Sequence, residues 1–480
     1  VPIILYFTYK VYHYFSATLT KSNIAFKLVA LPLMLALLFL GGRSSIDAAT
    51  PNQSFYTFSS QNINNEIANN SIFSILHALY SLKKEKSFNY GDIADNEAID
   101  NVKKMNNIHN DTLSLSRFQK SMFEQKKNII IVILESFGHS YVGHLGGTPT
   151  TPNLDKLTKE SLYFTNLYAT GTRTGWGVSS VVTSLYPIPS RPYVKAAKSQ
   201  KDFYTIASTL KKHNYTNTFL YSGDADFDNM RGFLLSNGYD NVYGQESFST
   251  DKHKYIWGYC DEDLYEKAFS IVDASKEKPF FLTLLTMSSH EPFDYPKDKV
   301  TPYDGAKVKG FANSIKYADY AIGKFMEKLK KNNLLENTVV AFIGDHNGDA
   351  YSSFDLPIDK YKILALIVSD DFKNGKEYKK VASQIDFAPT ILDIAGVSDI
   401  IPSMGSSVLQ NERDSAVVLA NRKNYAYLLK DSFVVYKNNI PPKTYNYALK
   451  EVQNSTKNIQ DGLSYIQSTT FLYNNSELYY

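Results

Sequence analysis

The sequence predicts an α/β fold, a largely parallel sheet covered by helices on both faces, and three observations carry that expectation. Two apolar runs, Asn128–Leu134 and Thr338–Ile343, are bounded by polar residues, as strands buried on both faces are. Strand-like and helix-like segments alternate from residue 128 onward. Both runs end in groups that bear chemistry, Glu135-Ser136-Phe137 and Gly344-Asp345-His346-Asn347. Ligands of open α/β sheets gather at such carboxyl ends.

Taken in order, the first element is the apolar stretch 24–42. It has about the length of a membrane-spanning helix, which needs roughly 20 mostly apolar residues. A signal peptide would begin at the very N-terminus, and residues 1–23 precede this stretch. Lys10, Lys21 and Lys27 lie on its N-terminal side, whereas Arg43 stands alone beyond it and is soon followed by Asp47. That bias places the N-terminus in the cytoplasm and everything after residue 45 outside. With Val1 at its start and an aromatic segment 1–19, the chain reads as the tail of a longer multi-span protein.

Residues 46–127 are Asn- and Ser-rich and read as an extracytoplasmic helical connector. Ile67, Ile72, Ile75, Leu76 and Leu79 recur at helical spacing, so a helix is predicted over 65–82. The region 128–400 is the expected catalytic domain. Further strands are predicted at Thr216–Tyr221, Phe280–Leu285 and 363–368, and helices at 203–213, 261–275, 313–332 and 379–394. Beyond Gly396 the pattern weakens into short strand-like pieces such as 432–436, so 401–480 reads as a strand-rich completion of that domain.

Composition excludes several classes. A net charge of +3 with scattered Lys and Arg argues against nucleic acid. The single Cys260 excludes an internal disulfide framework and a Cys-rich zinc site. What remains at the strand ends is two carboxylates, one imidazole and a hydroxyl-bearing turn, Gly171-Thr172-Arg173-Thr174-Gly175. Such ligands suit one divalent cation, Mn, Zn or Mg. A cation beside a hydroxyl makes it a competent nucleophile near neutral pH. One Asp-His pair alone is more often a cap than a ligand; three such features in order at strand ends point to a hydrolase or group transferase.

The order of these words resembles the alkaline phosphatase superfamily, and within it the membrane-anchored lipoteichoic acid synthase and phosphoglycerol transferase branch. Thr151-Pro-Asn-Leu-Asp-Lys-Leu-Thr-Lys-Glu-Ser-Leu-Tyr-Phe-Thr-Asn166 is similar to the segment after the first metal strand of sulfatase-like enzymes. Gly171-Thr-Arg-Thr174 resembles the nucleophile turn, Met287-Ser-Ser-His290 the substrate-histidine loop, Gly344-Asp-His-Asn347 the second metal strand, and Ser383-Gln-Ile-Asp-Phe-Ala-Pro-Thr390 a late helix. The likeness covers roughly 128–400 and implies a sulfatase-like sheet sandwiched by helices.

By that resemblance Glu135, Thr174, Asp345 and His346 hold the cation, and Thr174, rather than Thr172, attacks phosphorus to give a phosphothreonine. His290 binds the transferred phosphate or protonates the leaving alkoxide; Arg231 contacts the headgroup phosphate and Arg173 clamps phosphate or braces the turn. The synthases carry a Trp where this chain has Asp228, which leaves the choice of headgroup open. The implied reaction moves a phosphoglycerol-type headgroup from a membrane phospholipid to an envelope glycan or lipid, on the extracytoplasmic (periplasmic) side of the cytoplasmic membrane.

Three other readings rank lower. Phosphoethanolamine transferases usually carry several disulfides, against which Cys260 stands alone. Sulfatases need a Cys/Ser-x-Pro-x-Arg sequence, which the turn at 171–176 lacks. An inactive binding domain would be expected to have lost Thr174 or Asp345. His139, His144 and Asp349 match no ligand of the family, and Trp257 and Asp261-Glu262-Asp263 read as structural, with Asp261 a helix cap.

Overall fold

The computed structural model describes residues 23–43, 52–68 and 88–475, apart from 276–277, 304–309, 349–353, 355, 411–413 and 415, together with a few isolated positions. Val1–Phe55 and Tyr56–Tyr480 are separate units. The first holds helix α1, Ile24–Arg43, with Pro32 inside it. No helix among the described residues is long and apolar enough to cross a membrane, so the span expected over 24–42 is not found. Of the helix expected over 65–82, Asn62–Ala68 is helical and most of the remainder lies outside the described residues.

The second unit is built on eight strands: β1 Asn128–Leu134, β2 Ser161–Phe164, β3 Thr216–Tyr221, β4 Asn241–Tyr243, β5 Phe280–Leu285, β6 Thr338–Gly344, β7 Ala365–Val368 and β8 Lys376–Tyr378. Their order is β8-β2-β7-β6-β1-β5-β3-β4. Only β7 opposes its neighbours; the other pairs run parallel. β1 lies at the centre, and its period of two sends Ile129, Ile131 and Ile133 into one apolar layer and Ile130, Val132 and Leu134 into the other.

Helices cover both layers. Helix α2 (Thr174–Thr183) and helix α3 (Phe387–Ile394) supply Val178, Val181, Ile391 and Leu392 to the first. Helices α4 (Asp261–Ala274) and α5 (Phe311–Lys331) supply Leu264, Val272, Ile315, Ile322 and Phe325 to the second. The expected helix over 379–394 is shorter than its pattern. Ala382–Ser383 instead pairs with Leu167–Tyr168, and Ser383 and Asp386 cap each other where the chain turns into α3.

The C-terminal part is an antiparallel sheet of Val418–Asn421, Asn424–Leu428, Ser432–Lys437, Ile440–Asn446 and Glu451–Val452, followed by a helix over Thr456–Asn474. That helix ties down the expected connector: Asn106 Nδ2 donates to the Tyr465 hydroxyl at 3.1 Å, and Gln467 Nε2 donates to Asp95 Oδ1 at 2.6 Å.

Candidate metal centre and nucleophile turn

Register brings the acids together. Leu134 of β1 pairs with Gly344 of β6, so the next residues, Glu135 and Asp345, leave adjacent parallel strands at the same level. The Asp345 N–H donates to the Leu134 carbonyl at 3.1 Å, carrying the pairing one step past the strand. Both side chains are buried. His346 follows directly, with Nε2 3.4 Å from Asp345 Oδ2 and 3.6 Å from Glu135 Oε1. Ligand atoms of Glu135, Asp345 and His346 all lie within 4.8 Å of one another.

Each ligand is held by its neighbours. Asp345 Oδ1 accepts from the backbone N–H of Ser136 at 2.7 Å and of His346 at 2.6 Å, while Oδ2 is buried with no hydrogen-bond partner among the described residues. Glu135 Oε1 accepts from Ser136 Oγ at 2.8 Å, and the Glu135 N–H donates to Thr286 Oγ1 at 2.9 Å. His346 Nδ1 lies 3.2 Å from the Asn347 carbonyl. A carbonyl only accepts, so Nδ1 carries the proton and the Nε2 lone pair is left toward the carboxylates, as in metal-ligating histidines. Gln384 Nε2 ties the strand end from below through the carbonyls of Gly344 and Asp345, at 3.0 and 2.9 Å.

The electrostatics match this geometry. Burial and then Glu135 push the Asp345 carboxyl up from its ordinary range. Burial pulls His346 down, but Asp345 and Glu135 outweigh it and the imidazole is raised. Two buried carboxylates side by side favour added positive charge, since a buried charge left uncompensated is costly. The donor set of two carboxylates and one imidazole fits a divalent cation, with the Thr174 hydroxyl as the adjoining oxygen.

Thr174 arrives from the other side as the first residue of α2, with Arg173 at the N-cap. Its Oγ1 donates to Glu135 Oε2 at 3.2 Å. Thr174, not Thr172, is the turn hydroxyl that meets the cluster among the described contacts. The turn needs Gly171, since a Cβ there would lie 2.6 Å from Trp176 Cβ. Arg173 is exposed, and its charge opposes protonation of His346.

The remaining expected residues divide. His290 sits in the loop after β5, whose first residue, Thr286, meets Glu135; its Nδ1 is 2.8 Å from the Glu291 carbonyl and its ring packs on Trp257 at 4.8 Å. Arg231 is spent elsewhere. Its Nε reaches Asp226 at 2.9 Å, Nη2 reaches Glu246 at 2.7 Å and Nη1 donates to the Val242 carbonyl at 2.9 Å. A guanidinium held by these three protein acceptors braces the loop after β3.

His139 bonds the Lys362 carbonyl and His144 pairs with Asp155 at 2.8 Å, so neither joins the cluster; Asp349 lies outside the described residues. Sequence reasoning missed Ser136, Thr286 and Gln384, which act through hydrogen bonds that only the fold creates. It also missed Tyr221, at the end of β3, whose phenol is raised by burial and then by Glu135, Asp224, Asp345 and Asp228. Asp228 pairs with Lys195 and lies against Gly175, where a Cβ would be 2.8 Å from its Oδ2.

Comparison with known proteins agrees with this architecture. Residues 127–397 match the sulfatase family. Lipoteichoic acid synthase 2 of Bacillus subtilis is 25% identical over 383 residues, 73% of this chain and 56% of that protein. Phosphoglycerol transferase I of Xanthomonas campestris pv. campestris is 26% identical over 323 residues, 63% of this chain and 46% of that protein. The chain thus spans about half the length of these curated relatives. Among solved structures, an alkaline phosphatase superfamily protein of Vibrio parahaemolyticus superposes with a TM-score of 0.78 at 33% identity, covering 82% of this chain and 99% of that one. The lipoteichoic acid synthase of Listeria monocytogenes shares the fold, with a TM-score of 0.65 at 23% identity over 78% of this chain and 98% of that one.

Proposed function

The chain belongs to the sulfatase family, within the alkaline phosphatase superfamily, and on that premise we propose that it is a phosphotransferase that moves a phosphoglycerol-type headgroup from a phospholipid to an envelope glycan or lipid through a phosphothreonine. One observation carries the reading: a threonine hydroxyl at a helix N-terminus, 3.2 Å from a buried carboxylate of a three-ligand cluster. The first N–H groups of a helix have no intrahelical partners and favour an anion. A phosphodiester at the start of α2 is therefore bound by backbone N–H groups and Arg173, with phosphorus over Thr174 Oγ1. Names of the relatives support the headgroup class, lipoteichoic acid synthase and phosphoglycerol transferase.

Glu135, Asp345 and His346, with Thr174, would hold the cation, which when bound lowers the pKa of a hydroxyl and offsets charge on phosphate. Having given up its proton to solvent before the donor binds, Thr174 attacks as the alkoxide: Oγ forms a bond to phosphorus as the bond to the diacylglycerol oxygen breaks, and it leaves as the alkoxide when the acceptor displaces it. His290, protonated on both ring nitrogens, gives its Nε2 proton to that departing oxygen and is left neutral. An acceptor hydroxyl then returns a proton to Nε2 and its oxygen displaces Thr174, so protons and bonds balance over the cycle.

The donor places this chemistry at a membrane surface. The envelope acceptor supports an extracytoplasmic catalytic unit. A reporter active only outside, fused after residue 60, should be on. The reaction is tested with phosphatidylglycerol carrying a fluorescent acyl chain and Mn, Zn or Mg in turn: diacylglycerol should be released and phosphoglycerol mass should appear on the peptide containing Thr174. Release from phosphatidylethanolamine in preference would move the headgroup to ethanolamine phosphate. Release without any covalent adduct would replace Thr174 by water as the attacker.

A further inference from the structure

Four residues before Asp261, the chain makes a tight turn whose ends, Tyr255 and Gly258, bond to each other at 2.7 and 3.3 Å. The turn is closed onto the end of β3: Gly258 has φ +147°, bridges Gly223, and would put a Cβ 2.1 Å from the Ser222 carbonyl. Only glycine fits there. At the tip stands Trp257, 47% exposed although it is one of two tryptophans in the chain. A side chain present for packing alone would be covered, so its contacts need a reason.

Those contacts all concern His290. The indole Nε1–H donates to the Glu291 carbonyl at 2.7 Å, and His290 Nδ1 lies 2.8 Å from the same oxygen. The rings pack with centroids 4.8 Å apart at 58°. Because that oxygen has two lone pairs and cannot donate, it accepts from both, and His290 must carry its proton on Nδ1. Nε2 is then the one ring nitrogen free to exchange a proton. The base of the same loop is fixed separately, by Asp261 Oδ1 accepting from the N–H groups of Met287 and Ser288, each at 3.1 Å.

We infer that Trp257 is a positioning residue for the transfer reaction: by holding the Glu291 carbonyl and the imidazole face, it fixes His290 in the Nδ1–H tautomer with Nε2 presented to the leaving oxygen. The inference rests on the proton-donor role proposed above for His290. His290 enters the step protonated on both ring nitrogens; when Nε2 gives its proton to the departing alkoxide, the Nδ1–H stays bonded to Glu291, and the neutral Nδ1–H ring is ready to take the proton of the acceptor hydroxyl. Losing the indole N–H frees the carbonyl and the ring to turn, which lowers the fraction of correctly aimed imidazole without touching the cation ligands.

The test compares two phosphodiesters that differ in their need for a proton. Phosphatidylglycerol departs as an alkoxide and needs one; bis(p-nitrophenyl) phosphate departs as a phenolate and does not. Trp257→Phe keeps the ring contact and removes the N–H. It should lower kcat on the lipid roughly tenfold with little change in KM, while the phenolate ester keeps its rate within about twofold. His290→Ala should show the same selectivity with a larger loss, on the order of 10²-fold. Imidazole nitrogen resonances should show the Nδ1–H form at His290 in the wild type and a mixture of tautomers in Trp257→Phe. Equal losses on both esters, or an unchanged kcat with an unchanged tautomer, would overturn the role of Trp257. A His290→Ala enzyme without leaving-group selectivity would instead remove the proton-donor role on which the inference stands.

Discussion

Gly177 and Asp345 touch through their backbones: a Cβ on Gly177 would lie 2.4 Å from the Asp345 carbonyl oxygen. This approach lets α2 lie against the end of β6, where its first hydroxyl, on Thr174, meets the Glu135 carboxylate that follows the neighbouring β1. Gly177→Ala should therefore push the helix off the strand end. Overpacking of this kind costs about 1–3 kcal/mol, and a shift of about 1 Å at a reacting group can cost on the order of 10²-fold in rate. Headgroup release should fall far more than thermal stability. Normal kcat in a folded Gly177→Ala protein would mean that the contact relaxes without moving Thr174.

Removal of the nucleophile should separate the two turn threonines. Thr174 meets Glu135 at 3.2 Å, whereas Thr172 has no side-chain bond among the described contacts. Thr174→Ala should lose activity by several orders of magnitude with a melting temperature close to wild type, because a half-buried hydroxyl is replaced at a helix start. Thr172→Ala should keep most of its rate. The reverse ranking would assign the attack to Thr172.

Asp345 offers a test of the cation that needs no turnover. Its Oδ1 is satisfied by two backbone N–H groups, and its buried Oδ2 accepts no hydrogen bond among the described residues. Asp345→Asn keeps the accepting oxygen and puts an amide where a second charge faced Glu135. Without added metal this variant should be as stable as wild type or more so. Saturating Mn or Zn at about 100 times Kd should add roughly 2.7 kcal/mol to wild type and nothing comparable to Asp345→Asn. Equal metal-induced shifts in both proteins would place the ion elsewhere.

Legibility followed sequence distance. Thr216–Tyr221 and Phe280–Leu285 were readable because every residue of each run fits a buried or half-buried strand, and their ends coincide with the structure. Glu135, Thr174, Asp345 and His346 were readable as candidates because each follows a strand end or opens a helix. Ser161–Phe164 is too short to declare itself, and its strand exists through pairing with Ala365–Val368 and Lys376–Tyr378. Arg231 shows the opposite case: its acceptors Asp226 and Glu246, 5 and 15 positions away, are brought to it only by the fold. Trp257 looked structural for the same cause, since its partner carbonyl belongs to Glu291, 34 positions on.

The last expectation concerns acid stability and a group remote from the chemistry. Asp319 on α5 is buried and accepts from Asn153 N–H at 3.0 Å, Asn153 Nδ2 at 2.9 Å and Leu154 N–H at 2.8 Å, capping the helix Pro152–Leu157. Burial pushes its carboxyl up to about 6 against these hydrogen bonds, while the unfolded value is about 3.9. Between these values the folded state binds more protons than the unfolded one, so stability from this group falls as pH rises. It is fully present below about pH 4 and lost by about pH 6, an upper limit of about 3 kcal/mol. Asp319→Asn does not titrate, although its amide opposes the Asn153 donors at every pH. Denaturant unfolding should therefore show wild type losing ground to Asp319→Asn from pH 4 to 6 and running parallel above it. Parallel profiles over the whole range would mean that the three N–H donors, not burial, govern this carboxylate.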